Sequence, residues 1–190
     1  MKLLLKLAGV VVVLLLVAAA AGLGYLYSAF PDVPLDESYR IEATPERLAR
    51  GQYLNDHVVG CTTCHSERDW TRFSGPVVPG TTGKGGQVFN LGPAAMLYSK
   101  NITPAAIGRW SDGQLLRAVT AGQSGDGSAL FPLMPYPHYG AMAEDDIHAV
   151  LAYVRSLKAI ENASIPARQL AFPLNLIVRT IPAAASPRPR

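Results

Sequence analysis

The sequence predicts a small helical domain carried behind a long apolar N-terminal helix. Three observations predict it. Residues 7–27 contain no charged side chain. Further on, three segments open with helix-start chemistry, at Thr44-Pro45-Glu46, Ser111-Asp112-Gly113-Gln114 and Glu144-Asp145-Asp146. Residues 74–92, by contrast, are dense in Gly, Pro and Thr and sustain no period of 3.6 or 2, which reads as irregular loop. A chain of 190 residues has room for one modest domain and its extensions, not for a second large one.

The N-terminal run comes first. A bilayer-spanning helix needs about 20 apolar residues, and the stretch up to Tyr27 meets that length before Phe30-Pro31-Asp32 ends it. Lys2 and Lys6 would stay in the cytoplasm and send everything after Phe30 to the outer side. A retained anchor and a cleaved signal peptide both fit, since Ala18-Ala19-Ala20 could serve as a small-residue cleavage site. The anchor is favoured because apolarity continues through Leu23, Tyr25, Leu26 and Tyr27, with both tyrosines suited to the interfacial belt. The expected organisation is therefore an anchor or signal at 1–30, an extended tether at 31–43 rich in Pro and acids, a domain at 44–165 and a Pro-rich extension at 166–190. Outside the first 30 residues, 15 basic residues face 14 acidic ones. No basic cluster is interleaved with aromatics, so nothing suggests a nucleic-acid surface.

Within the domain, Thr44 is a cap candidate, Pro45 suits the first helical position and Glu46 the positive helix end, predicting a helix to about Asn55 or Asp56. Gly51 inside it suggests a close neighbour. Ser111 and Gln114 match a capping box, and Leu115, Leu116 and Val119 give the following helix an apolar face until Gly122 stops it. In the last helix Ile147, Val150, Leu151, Val154 and Leu157 recur at helical spacing. The run Gly83-Lys84-Gly85-Gly86 lacks phosphate-loop spacing. Residues 170–178 are apolar for a tail and read as a strap on the domain or as a partner or membrane contact; the last residues read as disordered.

The chain has two cysteines, both in Cys61-Thr62-Thr63-Cys64-His65. In C-x-x-C-H the thiols add across two haem vinyl groups and the adjacent histidine supplies the proximal ligand. A zinc site would need more ligands, a thioredoxin-like motif would need a strand-helix-strand setting, and a disulfide across two residues would be strained. The expected cofactor is thus one covalent haem c, attached at Cys61 and Cys64 and ligated by His65. For the other face of the iron, Met134 is favoured because Phe131-Pro132-Leu133-Met134-Pro135-Tyr136 is a proline-constrained loop. Met96 and Met142 read as packing residues, His57 as surface, His148 as lying off its helix's apolar face, and His138 as the main competitor.

Arg50-Gly51-Gln52-Tyr53-Leu54, Gly60-Cys61-Thr62-Thr63-Cys64-His65-Ser66, Asn101-Ile102-Thr103-Pro104, Ile107-Gly108-Arg109-Trp110-Ser111-Asp112, Met134-Pro135-Tyr136 and Ala152-Tyr153-Val154-Arg155-Ser156-Leu157 carry a family resemblance. The sequence resembles class I c-type cytochromes, and more closely the haem domains of the cytochrome c subunit of membrane-bound alcohol, aldehyde and sugar dehydrogenases. The resemblance covers residues 44–157. It implies an all-α cytochrome c fold in which the N- and C-terminal helices cross beside the haem and Gly51 admits the ring of Tyr153. It also implies His65 and Met134 as axial ligands, with Asn101, Thr103 and Trp110 lining the haem surroundings. Such subunits commonly string three haem domains together, whereas one motif here means one haem. The last helix, which commonly has Ser or Thr at its cap, has Ala143.

The expected function is electron transfer rather than enzymatic catalysis, with a dehydrogenase as donor and a cytochrome or oxidase of the respiratory chain as acceptor. The haem domain would lie on the periplasmic side of a bacterial cytoplasmic membrane. A haem enzyme or gas sensor would instead require an open position in place of Met134, and a structural subunit would rely on the anchor and the 170–178 strap.

Overall fold

The computed structural model describes residues 1–185, so the disorder expected of the last residues falls outside the described part of the chain. Helix α1 (Lys2–Ala29) is 28 residues long, about 42 Å at 1.5 Å per residue. None of it is buried, and with an 18-residue stretch of mean hydropathy 2.8 it is long and apolar enough to cross a membrane. Among the described residues only its C-terminal end is touched, where the Arg179 guanidinium lies over the Tyr27 ring, so most of its apolar surface is left for surroundings other than the domain.

After Phe30 the chain is extended, as expected of a tether, but it is fastened along its length. Val33 is buried; its N–H donates to Gln123 Oε1 at 3.1 Å, and Gln123 Nε2 donates to Pro31 O at 3.1 Å. Further along, Ile41 N–H donates to Asp112 Oδ2 at 3.0 Å, and the Tyr39 ring meets the His148 ring edge-on with centroids 4.9 Å apart.

Helix α2 (Pro45–Leu54) starts where predicted: Thr44 accepts from Arg47 N–H and Pro45 fills the first turn. It crosses α7 (Glu144–Ser156), the long helix with the periodic apolar face. Ile147 and Leu151 of that face are fully buried with Ile107, Leu115, Val119 and Val154. A second group of Leu54, Ala149 and Val150 fills the space between the two helices. At the crossing a Cβ on Gly51 would lie 2.0 Å from the Ala149 carbonyl oxygen and 2.9 Å from Tyr153 Cβ. The neighbour expected from the resemblance was the Tyr153 ring; the closest neighbour is the backbone of Ala149, because the two helix backbones themselves are in contact there. Arg50 adds a two-pronged ion pair to Asp146, at 2.9 and 3.1 Å.

Helix α5 (Asp112–Ala121) carries the full capping box between Ser111 and Gln114 and ends at Gly122, φ 79°. Short helices α4 (Pro104–Ile107) and α6 (Tyr136–Gly140) precede α5 and α7. Arg155 ties these pieces together, donating to Ile107 O at 2.8 Å and Trp110 O at 2.6 Å while pairing with Asp112 at 3.0 Å.

The molecule is mostly helical, which agrees in part with the all-α expectation, and it adds a short three-stranded antiparallel sheet, β1 (Val88–Asn90), β2 (Ala95–Tyr98) and β3 (Gln169–Leu170), that the sequence reading did not include. The pairs are Val88↔Tyr98, Phe89↔Leu97, Asn90↔Met96, Ala95↔Leu170 and Met96↔Gln169. Strand β1 lies inside the stretch read as irregular. Two or three paired residues are too few for a period-2 signal, and the third strand comes from far along the sequence. The 170–178 segment behaves as a strap in part. Val178 is buried, and Arg179 donates to Tyr27 O and Phe30 O, at 3.0 and 2.8 Å, holding the end of α1. Phe172 remains 79% exposed.

At its first turn α7 has Glu144, Asp145 and Asp146, and its cap Ala143 makes no side-chain hydrogen bond. Ala143→Ser supplies the missing acceptor and is expected to stabilise the fold by about 0.5–2 kcal/mol. A thermal melt of the variant beside the parent checks this, and an unchanged or lowered midpoint contradicts it.

Candidate functional site

The cysteine-histidine motif is positioned from α2. That helix runs into a single π-helical turn (Asn55–Val59), closed by Gly60 at φ 66°, and the chain then makes one helical turn, α3 (Cys61–Cys64). Asn55 is buried here; its Nδ2 donates to Thr62 Oγ1 at 2.7 Å, tying the π turn to the motif. His65 N–H donates to Cys61 O at 2.8 Å. One turn therefore presents both thiols and the imidazole.

The His65 ring is oriented by a backbone acceptor, with Nδ1 2.7 Å from Lys100 O. A proton on Nδ1 satisfies that carbonyl and leaves Nε2 with a free lone pair, the state a metal-ligating histidine needs. Burial lowers the His65 pKa, outweighing the Lys100 contact that raises it. Burial also pushes the Cys61 thiol up to about 12, with the neighbouring Cys64 adding to the rise.

The glycine-rich run serves this histidine. Gly85 N–H donates to His65 O at 2.8 Å, and Gly83 N–H donates to Ser66 Oγ at 2.9 Å. Gly85 has φ 75°, and a Cβ there would lie 2.6 Å from Ser99 O, so only glycine lets this loop press against the backbone around Lys100. Asn101 and Thr103 follow Lys100 in the chain and do not line the cavity described below. Asn101 Nδ2 donates to Ile160 O at 2.7 Å, while Asn101 Oδ1 accepts from Thr103 N–H at 2.8 Å and from Thr103 Oγ1 at 2.7 Å. Their buried network fixes the chain next to the carbonyl that orients His65. Trp110 is packed on the main core and does not reach the cavity wall.

Cys61, Cys64 and His65 open onto a cleft of about 950 Å³, open solvent at its mouth included. Its walls are apolar, with Phe89 and Leu97 from the sheet and Leu130, Phe131, Leu133 and Met134 from the proline-rich loop. Cofactor sites are lined mainly by apolar and aromatic side chains. The charged residues on the wall, Lys100 and Arg168, are both cations. A large flat apolar cofactor bearing carboxylates fits such a cleft, and haem is one. Met134 is the methionine that reaches the cleft; Met96, Met142, His57 and His138 do not line it. Met142 instead joins both core groups. Tyr139 also lines the wall, and its hydroxyl donates to Val59 O at 2.8 Å.

Lys100, through its carbonyl, and Arg168 escaped the sequence reading. The glycine run was the available sign of the first, since glycines without period mark a loop in close contact. The second follows the last core helix in a segment read as a tail, and only strand pairing brings it to the cleft.

No family model matches the chain. It is 30% identical over 137 residues to the fructose dehydrogenase cytochrome subunit of Gluconobacter japonicus, which covers 68% of this chain and 25% of that protein. It is 32% identical over 115 residues to the gluconate 2-dehydrogenase cytochrome c subunit of Pantoea cypripedii, covering 59% of this chain and 23% of that protein. With the cytochrome c subunit of the quinone alcohol dehydrogenase of Gluconacetobacter polyoxogenes it shares 35% identity over 89 residues, 44% of this chain and 19% of that one. The chain thus spans about a quarter or less of the length of these relatives. Several of its homologues are cytochrome c subunits of dehydrogenases, at modest identity over 44–70% of its length.

Proposed function

We propose that this chain is a membrane-anchored mono-haem c-type cytochrome that passes single electrons from a periplasmic dehydrogenase toward the respiratory chain. The observation that carries the reading is the convergence of Cys61, Cys64 and His65 in one helical turn on an apolar cleft that Met134 also lines. Cys61 and Cys64 would hold the haem through thioethers, and His65 and Met134 would ligate its iron. The haem, when bound, supplies reversible one-electron storage at its iron.

The chain's own residues do the rest. The Lys100 carbonyl holds the His65 ring with its Nε2 lone pair free, and the apolar wall of Phe89, Leu97, Leu130 and Phe131 excludes water. Excluding water lowers the local dielectric and so strengthens every electrostatic effect on the iron. Helix α1 serves as the anchor, with Lys2 and Lys6 on the cytoplasmic side. The fructose, gluconate and alcohol dehydrogenases named for the relatives point to a dehydrogenase as the donor.

The test is expression of the full chain with a c-type haem maturation system. Membrane fractions should hold a haem-staining band that survives denaturing electrophoresis, at a mass that retains Lys2 and Lys6. Cys61→Ala combined with Cys64→Ala should lose the stain. Absence of covalent haem from the parent would sink the cytochrome reading; a stained but soluble chain starting near Ala21 would overturn the anchor alone.

A further inference from the structure

Arg168 stands at the cleft although it belongs to the extension after α7. It directly precedes β3, whose pairing of Leu170 with Ala95 and Gln169 with Met96 sets its position. The next residues of β2 and its exit, Leu97 to Lys100, line the same cleft. One guanidinium nitrogen, Nη1, donates to Ala129 O at 2.6 Å. No carboxylate lies within ion-pair distance of Arg168 among the described residues, and no Asp or Glu lines the cleft.

A half-buried guanidinium in an apolar wall needs an anionic partner to offset its lost hydration. Its planar fork matches a carboxylate in a two-pronged pairing that an ammonium cannot reproduce. Lys100 also lines the wall, and the nearest carboxylate that both cations feel, Asp126, lies outside the lining and forms no ion pair with Arg168, so the cleft itself holds no negative group. Haem carries two propionate carboxylates on an apolar macrocycle, which is the complementary distribution.

We infer that Arg168 binds a haem propionate, so that the C-terminal extension is part of the cofactor site rather than only a strap. The inference rests on the haem reading of the cleft. Arg168 is then a cofactor-positioning residue with an electrostatic effect: a fixed cation beside the haem favours the ferrous state, which carries one positive charge fewer than the ferric state.

The experiment uses the full haem-loaded chain, titrated potentiometrically and examined by redox-induced infrared difference spectroscopy. Arg168→Gln should retain covalent haem, shift a propionate carboxylate band, and lower the ferrous-to-ferric ratio at fixed potential by up to about tenfold, which is about 59 mV for one electron. Arg168→Lys keeps the charge without the fork and should restore most of the potential while leaving the carboxylate band shifted. Arg47→Gln removes a cation from the start of α2, away from the cleft wall, and should change neither reading. If Arg168→Gln does not accumulate, the Arg168→Lys spectrum decides. Unchanged carboxylate bands in the Arg168 variants overturn the inference while leaving the cytochrome reading intact. A parent chain without covalent haem overturns both, and is recognised by the absent stain.

Discussion

Met134→Ala is expected to lower the reduction potential, abolish the weak ferric charge-transfer band of methionine-ligated haem, and open the iron to carbon monoxide when reduced. A thioether is a soft neutral ligand that stabilises ferrous relative to ferric iron, so its loss moves the potential down. Met134 is the methionine on the cleft wall, held between Pro132 and Pro135 by its own N–H to Phe131 O at 3.2 Å and by its carbonyl to Tyr136 N–H at 2.8 Å. Haem attachment should survive, because Cys61, Cys64 and His65 are untouched. Met142→Ala is the control: Met142 packs on both core groups and away from the cleft, so its loss should cost stability, at most about 2–5 kcal/mol, and leave the spectrum nearly unchanged. Retention of the band in the Met134 variant with loss in the Met142 variant would reverse the assignment. If neither variant loses a band, the exposed His138 is the next residue to replace.

Those two methionines also mark what the sequence could and could not disclose. A methionine clamped between prolines outside any helix stood out in the sequence, and in the structure Met134 lines the cleft while also packing on the main core. The helix starts at Thr44 and Ser111, and the buried face of α7, were legible for a similar reason, since caps and 3.6-residue periodicity are local in sequence. What stayed hidden depends on pairing across long separations. The sheet joins residues 88–98 to 169–170, and Arg168 reaches the cleft only through that pairing. The orienting acceptor for His65 is a backbone carbonyl, Lys100 O, which no residue type announces. Asn101 and Thr103 carried a recognisable pattern, yet their place in the network beside Lys100, one step back from the cleft wall, is readable only from hydrogen-bond geometry.

Gly51→Ala should unfold the domain more easily than any surface change in α2, although alanine is the better helix former by about 1 kcal/mol. The added methyl would lie 2.0 Å from Ala149 O and 2.6 Å from its carbonyl carbon. Those are backbone atoms of a buried helix, so no side-chain rotation relieves the clash and α2 must move away from α7. Overpacking of this kind costs about 1–3 kcal/mol even where side chains can yield, so the propensity gain is outweighed. The displacement would propagate along α2 to Leu54 and Asn55, which are packed or bonded against α7 and Thr62, and so would loosen the turn that presents Cys61, Cys64 and His65. The expected result is a lower thermal midpoint for the full chain in detergent, together with reduced haem incorporation. Gln52→Ala, next along the same helix but exposed, should stay within about 0.5 kcal/mol of the parent. A Gly51→Ala protein as stable as the parent and equally haem-loaded would mean that the two helix backbones do not touch at this crossing.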